Sequence, residues 1–269
     1  MAPRAMVMQQ PRHCHAPHRA GVLVFETFTL AQLALVAVTA LAAQVIGGLA
    51  GYGTGLLMPL VLVPLIGAQA VVPVIGLSAI ITNATRVVTF RQAVDLRKVV
   101  LVSLVALPTT ALGAWGYSLL SGRGAALLIG AMLILLVPAR RAFAHMRLRL
   151  GEKSLLVSSA AYGFLCGGTS GAGVMLMSLL MGAGLSGTQV IATDAAISFV
   201  LGLAKTGVFL GAGALTAELC LLAVLIGVMA TPGTLIAKWL TTRFSARLHD
   251  VILEVAIVAG GLVLLARNL

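Results

Sequence analysis

Gly167-Gly168-Thr169-Ser170-Gly171-Ala172-Gly173 interrupts one apolar stretch of this chain, and Gly47-Gly48-Leu49-Ala50-Gly51-Tyr52-Gly53 interrupts another 120 residues earlier. The offset then holds without a gap. Gly67-Ala68-Gln69 aligns with Gly187-Thr188-Gln189, Ser78 with Ser198, and Ala84 with Ala204. Residues 44–88 and 164–208 share 12 identities in 45 positions. About 5 would be expected by chance if roughly one apolar position in ten matches. Gly113, Leu120 and Arg123 continue the register into Gly233, Leu240 and Arg243. The chain therefore reads as a duplicated unit whose helices are broken by glycine at matching places. Glycine-interrupted hydrophobic segments paired between two halves point to the binding site of a transporter.

Composition places that unit in a membrane. Sixty per cent of the residues are hydrophobic, 9% are charged, and the mean hydropathy is +1.09. A soluble domain carries about 25% charged residues. The expected fold is an all-α polytopic membrane protein, with abundant small residues allowing close helix packing in lipid. The net charge of +11 sits mainly in short segments between apolar runs. Arg140, Arg141, Arg147, Arg149 and Lys153 surround a linker between the halves, and Arg91, Arg97 and Lys98 mark a second basic loop. The positive-inside bias places both in the cytoplasm, and this distribution argues against nucleic acid as a partner. The expected partners are the lipid bilayer and a small solute, with a homodimer admissible. Cys14, Cys166 and Cys220 have no paired spacing and read as free thiols.

The expected organisation is a basic, disordered arm over 1–26, a first membrane repeat over 27–144, a cytoplasmic linker over 145–153 and a second repeat over 154–269. The arm lacks the apolar core of a typical signal peptide. It carries His13-Cys14-His15 and His18, but nothing fixes their geometry, so no metal site is read there. Apolar runs predict helices over 28–46, 69–90, 99–120 and 125–143, then over 154–166, 189–210, 216–238 and 248–266. Two shorter segments, 56–66 and 174–185, rise only about 18 Å against a hydrocarbon core of about 30 Å. They read as re-entrant or half helices, which require burial in protein or a wet cavity. Pro59, Pro64 and Pro73 predict further breaks in the first half. The loop at 91–98 is basic while its counterpart at 211–218 is not; 118–127 holds only Arg123 while 238–247 holds Lys238, Arg243 and Arg247. That reversal favours inverted over parallel repeats, although the basic arm argues the other way.

No HExxH, GxSxG, P-loop or CxxC pattern occurs, so neither an enzyme nor a cofactor is read. The polar groups that converge lie at the glycine breaks and on the long helix after each. Backbone N–H groups around Gly48, Gly51, Gly168 and Gly171 suit an anion, because N–H groups at helix starts are unpaired and partly positive. Gln69 and Gln189 open the following helices and would either donate to a ligand or cap their own helix. Thr169 and Ser170 would either contact ligand or satisfy the local backbone. Thr82 and Asn83 need partners at apolar depth, while Arg86 is placed to snorkel to the surface. Lys205 lies inside an apolar helix with no acid one turn away and serves a ligand or coupling, snorkels, or pairs elsewhere. Asp194 shares its face but is eleven residues, about 16 Å, away. Asp194 and Glu254 are the candidate coupling carboxylates.

Taken together, the Gly-Gly-x-x-Gly-x-Gly runs, the short apolar segment after each and the position of Lys205 resemble the TauE/SafE family of sulfite exporters over about residues 28–266. The resemblance implies a multi-pass secondary transporter of the bacterial cytoplasmic (inner) membrane. It would export sulfite, sulfoacetate or other organosulfonates by alternating access, and hold the anion near Lys205. The first cluster departs from the pattern, since Tyr52-Gly53-Thr54-Gly55 is bulkier than the second run. A carrier of cations or other small molecules, using Asp194 and the carbonyls of the breaks, is the alternative.

Overall fold

The computed structural model describes residues 28–47, 53–145 and 150–240, with the single positions 262 and 266. The arm over 1–26, Gly48, Gly51, Glu254 and, apart from positions 262 and 266, the helix expected over 248–266 lie outside the described residues. Every long regular element among the described residues is helical, and no strand occurs there. In chain order these are α1 Leu30–Gly47, α2 Gly53–Ile66, α3 Ala68–Thr89, α4 Leu96–Ser118, α5 Gly122–His145, α6 Glu152–Gly168, α7 Gly173–Gly182, α8 Thr188–Gly211 and α9 Ala217–Leu240. A single 3-10 turn, Arg91–Ala93, joins α3 to α4. Among the described residues four helices are long and apolar enough to cross a membrane: α3, α4, α8 and the 217–236 stretch of α9.

Three sequence expectations change. Pro59 and Pro64 stay inside α2, and Pro73 stays inside α3, so none of them ends a helix. Packed neighbours and small local adjustments re-satisfy the backbone groups that proline frees in such bundles. Helix α4 starts three residues earlier than its apolar run, because Asp95 caps it: Asp95 Oδ1 accepts from the Lys98 N–H at 3.0 Å. Helix α2 starts inside the first glycine run, taking Gly53, Thr54 and Gly55 into its first turn.

The short α7 has 10 residues, a rise of about 15 Å. The Leu150 N–H, just before α6, donates to the carbonyl of Gly182, the last residue of α7, at 2.8 Å. The chain thus returns, at the end of α7, to the level at which α6 began. The turn between them contains Gly171 at φ +88°, a left-handed conformation that glycine adopts without a Cβ penalty.

Helix directions follow from which residues meet. Along α3 and α8 the contacts descend in register: Gly76 lies against the Lys205 stem, Gly202 against Ile80, and Arg86 against Asp194. The two helices are therefore antiparallel. Along α4 and α6 the contacts ascend. A Cβ on Gly163 would fall 2.5 Å from the Ala106 carbonyl oxygen, and one on Gly167 would fall 2.1 Å from that of Thr110. These helices run parallel, with backbones closer than any side chain permits, as small residues allow in lipid. Arg97 and Glu152 pair near the starts of the same two helices.

The buried apolar residues form two clusters rather than one. The first centres on α1, α2, α3, α5 and α9 around Val36, Met58, Val72 and Ile226 and takes in Tyr117 of α4, Val174 of α7 and Phe209 of α8; the second joins α4, α6, α7 and α8 around Val102, Leu155, Leu176 and Leu201. Outward-facing residues include Leu104, Trp115, Val157 and Phe164, all more than half exposed. An apolar outer surface of this kind suits contact with membrane.

Candidate functional site

Between the two clusters lies a cavity of about 120 Å³. A water molecule's share of liquid is about 30 Å³, so the space suits a small solute. Its wall combines α3 residues (Gly76, Thr82, Asn83, Arg86), the turn from Thr169 to Gly173, and Lys205 from α8. Gln44, Thr54, Tyr162 and Ser198 complete the polar lining.

The local backbone explains why the turn can form one wall. Gly55 of α2 packs directly on it: a Cβ at Gly55 would sit 2.7 Å from Gly171 N, and one at Gly171 would sit 2.6 Å from Leu56 Cδ2. Any larger residue at either point drives the start of α2 away from the turn. Ala172 and Gly173, where α7 begins, also line the cavity. The first N–H groups of a helix have no intrahelical partner, which favours an anion there.

Lys205 is 5% exposed and is not an unpaired ammonium. Its Nζ donates to the Cys166 carbonyl at 2.8 Å and to the Thr169 carbonyl at 2.6 Å. Those carbonyls end α6, where the backbone is partly negative, so the ammonium caps the end of that helix. Nζ also lies 5.9 Å from the Phe209 ring centroid. An ammonium has three N–H donors, and the two carbonyls use two of them. The Lys205 stem runs over Gly76, where a Cβ would meet it at van der Waals contact, 3.4 Å from Cε.

Arg86 does not snorkel. It is 5% exposed, and its Nη2 lies 3.1 Å from Oδ2 of Asp194, itself 1% exposed. The reason is the antiparallel crossing, which puts the late part of α3 beside the early part of α8. Its Nη1 donates to Asn83 Oδ1 at 3.3 Å, so Asn83 finds its partner one turn away on its own helix. Thr82 and Thr169 satisfy local carbonyls: Thr82 Oγ1 donates to Ala79 and Thr169 Oγ1 to Leu165, at 3.2 and 2.6 Å. Ser170, Gly171, Thr82, Asn83, Thr169 and Lys205 all reach the cavity, and Gly168 adjoins it at the end of α6.

Gln69 and Gln189 do not reach it. Both are exposed, and Gln69 Nε2 donates to the Leu120 carbonyl at 2.6 Å. The matching Gly-x-Gln steps lie at the far ends of the short helices, not at the breaks. Their shared feature is the preceding glycine, left-handed in both cases at φ +75° for Gly67 and +54° for Gly187. Gln69→Ala is accordingly expected to leave anion affinity within about threefold of the parent in a titration. It should cost at most the ~1 kcal/mol of one hydrogen bond in thermal stability.

Gln44, Tyr162 and Ser198 also enter the site, though none is among the candidate ligands read from the sequence. Gln44 Nε2 donates to Thr234 Oγ1 at 3.0 Å, which ties α1 to α9 beside the cavity. A lone glutamine near the end of an apolar helix was the available signal.

Among the described residues, a helical bundle with four potential spans, an apolar exterior and a buried polar cavity lined by two cationic side chains has the construction of a membrane transport protein for small solutes. The chain belongs to the TauE/SafE family: the family model for the sulfite exporter TauE/SafE matches residues 36–264. That family comprises membrane transporters rather than enzymes. No curated protein and no solved structure matches the chain.

Proposed function

We propose that this protein is a secondary transporter that exports small sulfur-containing anions, sulfite, sulfoacetate or related sulfonates, across the cytoplasmic membrane of a bacterium. The observation that carries the proposal is the charge of the cavity wall. Lys205 and Arg86 both line it, and no acidic side chain does so among the described residues. Asp194 stands behind Arg86 and does not face the solute, which disfavours a cation carrier.

In this reading the anion sits against the turn from Thr169 to Gly173. The third N–H of Lys205, the hydroxyl of Ser170 and the start of α7 would hold it. The halves act as inverted repeats around the site. Support comes from α3 and α8, which the 120-residue offset makes equivalent and which cross antiparallel. The equivalent packings α1 on α9 and α4 on α6, and α3 on α9 and α4 on α8, occur in pairs. In the second half, α6, its glycine turn and α7 form a re-entrant hairpin, with Leu150 joined to Gly182 across its base. Alternating access would then rock one half against the other around the cavity.

A thermal-shift screen of purified protein tests the proposal, because a ligand that binds the folded state stabilises it by RT ln(1 + L/Kd), where L is the free ligand concentration. Sulfite and sulfonates should raise the melting temperature, while sodium, potassium and amino acids should not. Stabilisation by cations with none by anions would overturn the reading.

A further inference from the structure

Arg86 and Asp194 are buried at one end of the cavity with their bonding incomplete. The 3.1 Å approach of Nη2 to Oδ2 is ion-pair distance without hydrogen-bond alignment. Neither oxygen of Asp194 accepts an aligned hydrogen bond among the described residues, and Nε and Nη2 of Arg86 donate none. A guanidinium offers five N–H donors in a planar fork that matches an oxyanion. Only Nη1 is committed, to Asn83. Arg86 lines the cavity and Asp194 does not, so a solute can reach the guanidinium without displacing the carboxylate's helix.

The other groups around Asp194 leave it one strong partner. From α6, Tyr162 is within electrostatic reach, with Cys166 beside it. At the start of α4, the Asp95 N–H donates to Thr193 Oγ1 at 3.0 Å, while the Asp95 carboxylate is engaged by the Lys98 N–H. On α8 itself, Lys205 is eleven residues away and holds the carbonyls of Cys166 and Thr169.

Resting on the reading of the cavity as an anion site, we infer that Arg86 exchanges Asp194 for the substrate anion, and that the released carboxylate takes up one proton from water. A carboxylate buried at this depth is costly to leave charged once its cation turns away. Protonation forms one O–H bond on Asp194 and consumes one solvent proton; release of the anion returns Arg86 to the carboxylate and expels the proton. Each anion therefore binds together with one proton, which offsets one unit of its negative charge. By linkage, anion affinity rises as pH falls, and the anion raises proton affinity by the same factor.

The full-length protein in nanodiscs tests this with sulfoacetate, whose groups stay ionised near neutral pH. Binding is measured by calorimetry, and proton uptake by an indicator dye in weak buffer. The parent should take up about one proton per sulfoacetate bound. Asp194→Asn should bind at least about fivefold more tightly, take up almost none, and lose the pH dependence. If that variant fails to fold, the double variant Arg86→Gln/Asp194→Asn, which removes both charges, should bind at least about tenfold more weakly than the parent and take up no proton, and parent-like affinity in it would overturn the exchange. Sulfoacetate binding to the parent without proton uptake overturns the inference and leaves the anion site standing. Uptake that persists in Asp194→Asn overturns it too, since Lys205 or Tyr162 would then be the acceptor. Failure of both sulfoacetate and sulfite to bind the parent overturns the anion reading itself.

Discussion

Lys205→Ala is expected to weaken sulfite or sulfonate binding by about 100-fold or more and to abolish export. The ammonium does two jobs at one point. It caps the carbonyls of Cys166 and Thr169 at the end of α6, and it carries positive charge at the cavity wall. Removing one partner of a buried charged contact costs about 3–5 kcal/mol, and each 1.4 kcal/mol is a factor of ten. Not all of that loss falls on the anion, because the two carbonyls also lose their donor. Lys205→Arg restores the charge with a longer, planar head, so it should recover part of the binding with altered selectivity. A titration of each variant, with membrane yield measured alongside, separates the effects. Parent-like affinity in Lys205→Ala would reduce the lysine to a structural cap.

Gly171→Leu should have the second largest effect: no detectable transport, with membrane insertion retained. Two independent obstacles meet at this residue. Its φ of +88° is costly for any residue with a Cβ, and that Cβ would lie 2.6 Å from Leu56 Cδ2. The turn would have to move away from α2, carrying the Thr169 carbonyl away from Lys205. Insertion depends on the apolar spans, which the change leaves untouched. Export assayed in cells, beside the amount of protein in the membrane, reads both. Normal transport by Gly171→Leu would mean that the turn is a spacer.

The parts of this site legible in the sequence share a property: each breaks the pattern of its surroundings. Glycines at fixed spacing stand out in apolar runs, and so does Lys205 inside a helix with no nearby acid. The Arg86–Asp194 pair was not legible, because its members are 108 residues apart and meet only through the antiparallel crossing of α3 and α8. Local spacing placed Arg86 near a helix end and suggested an exit to the surface. Gln69 and Gln189 misled for the opposite reason. Their equivalence marks the geometry of a helix start, with a left-handed glycine before each, and neither lines the cavity. Gln44 and Tyr162 gave no periodic or charge signal at all. Helix α4 began early because one capping aspartate outweighed the two basic residues, Arg97 and Lys98, in its first turn.

The most direct test of the central claim is efflux from proteoliposomes loaded with radiolabelled sulfite and, separately, with a labelled amino acid and with rubidium. The account predicts that the parent releases sulfite well above protein-free liposomes, that unlabelled sulfoacetate competes, and that Lys205→Ala releases none. Release of rubidium or the amino acid in place of sulfite, or sulfite release undiminished in Lys205→Ala, would contradict it.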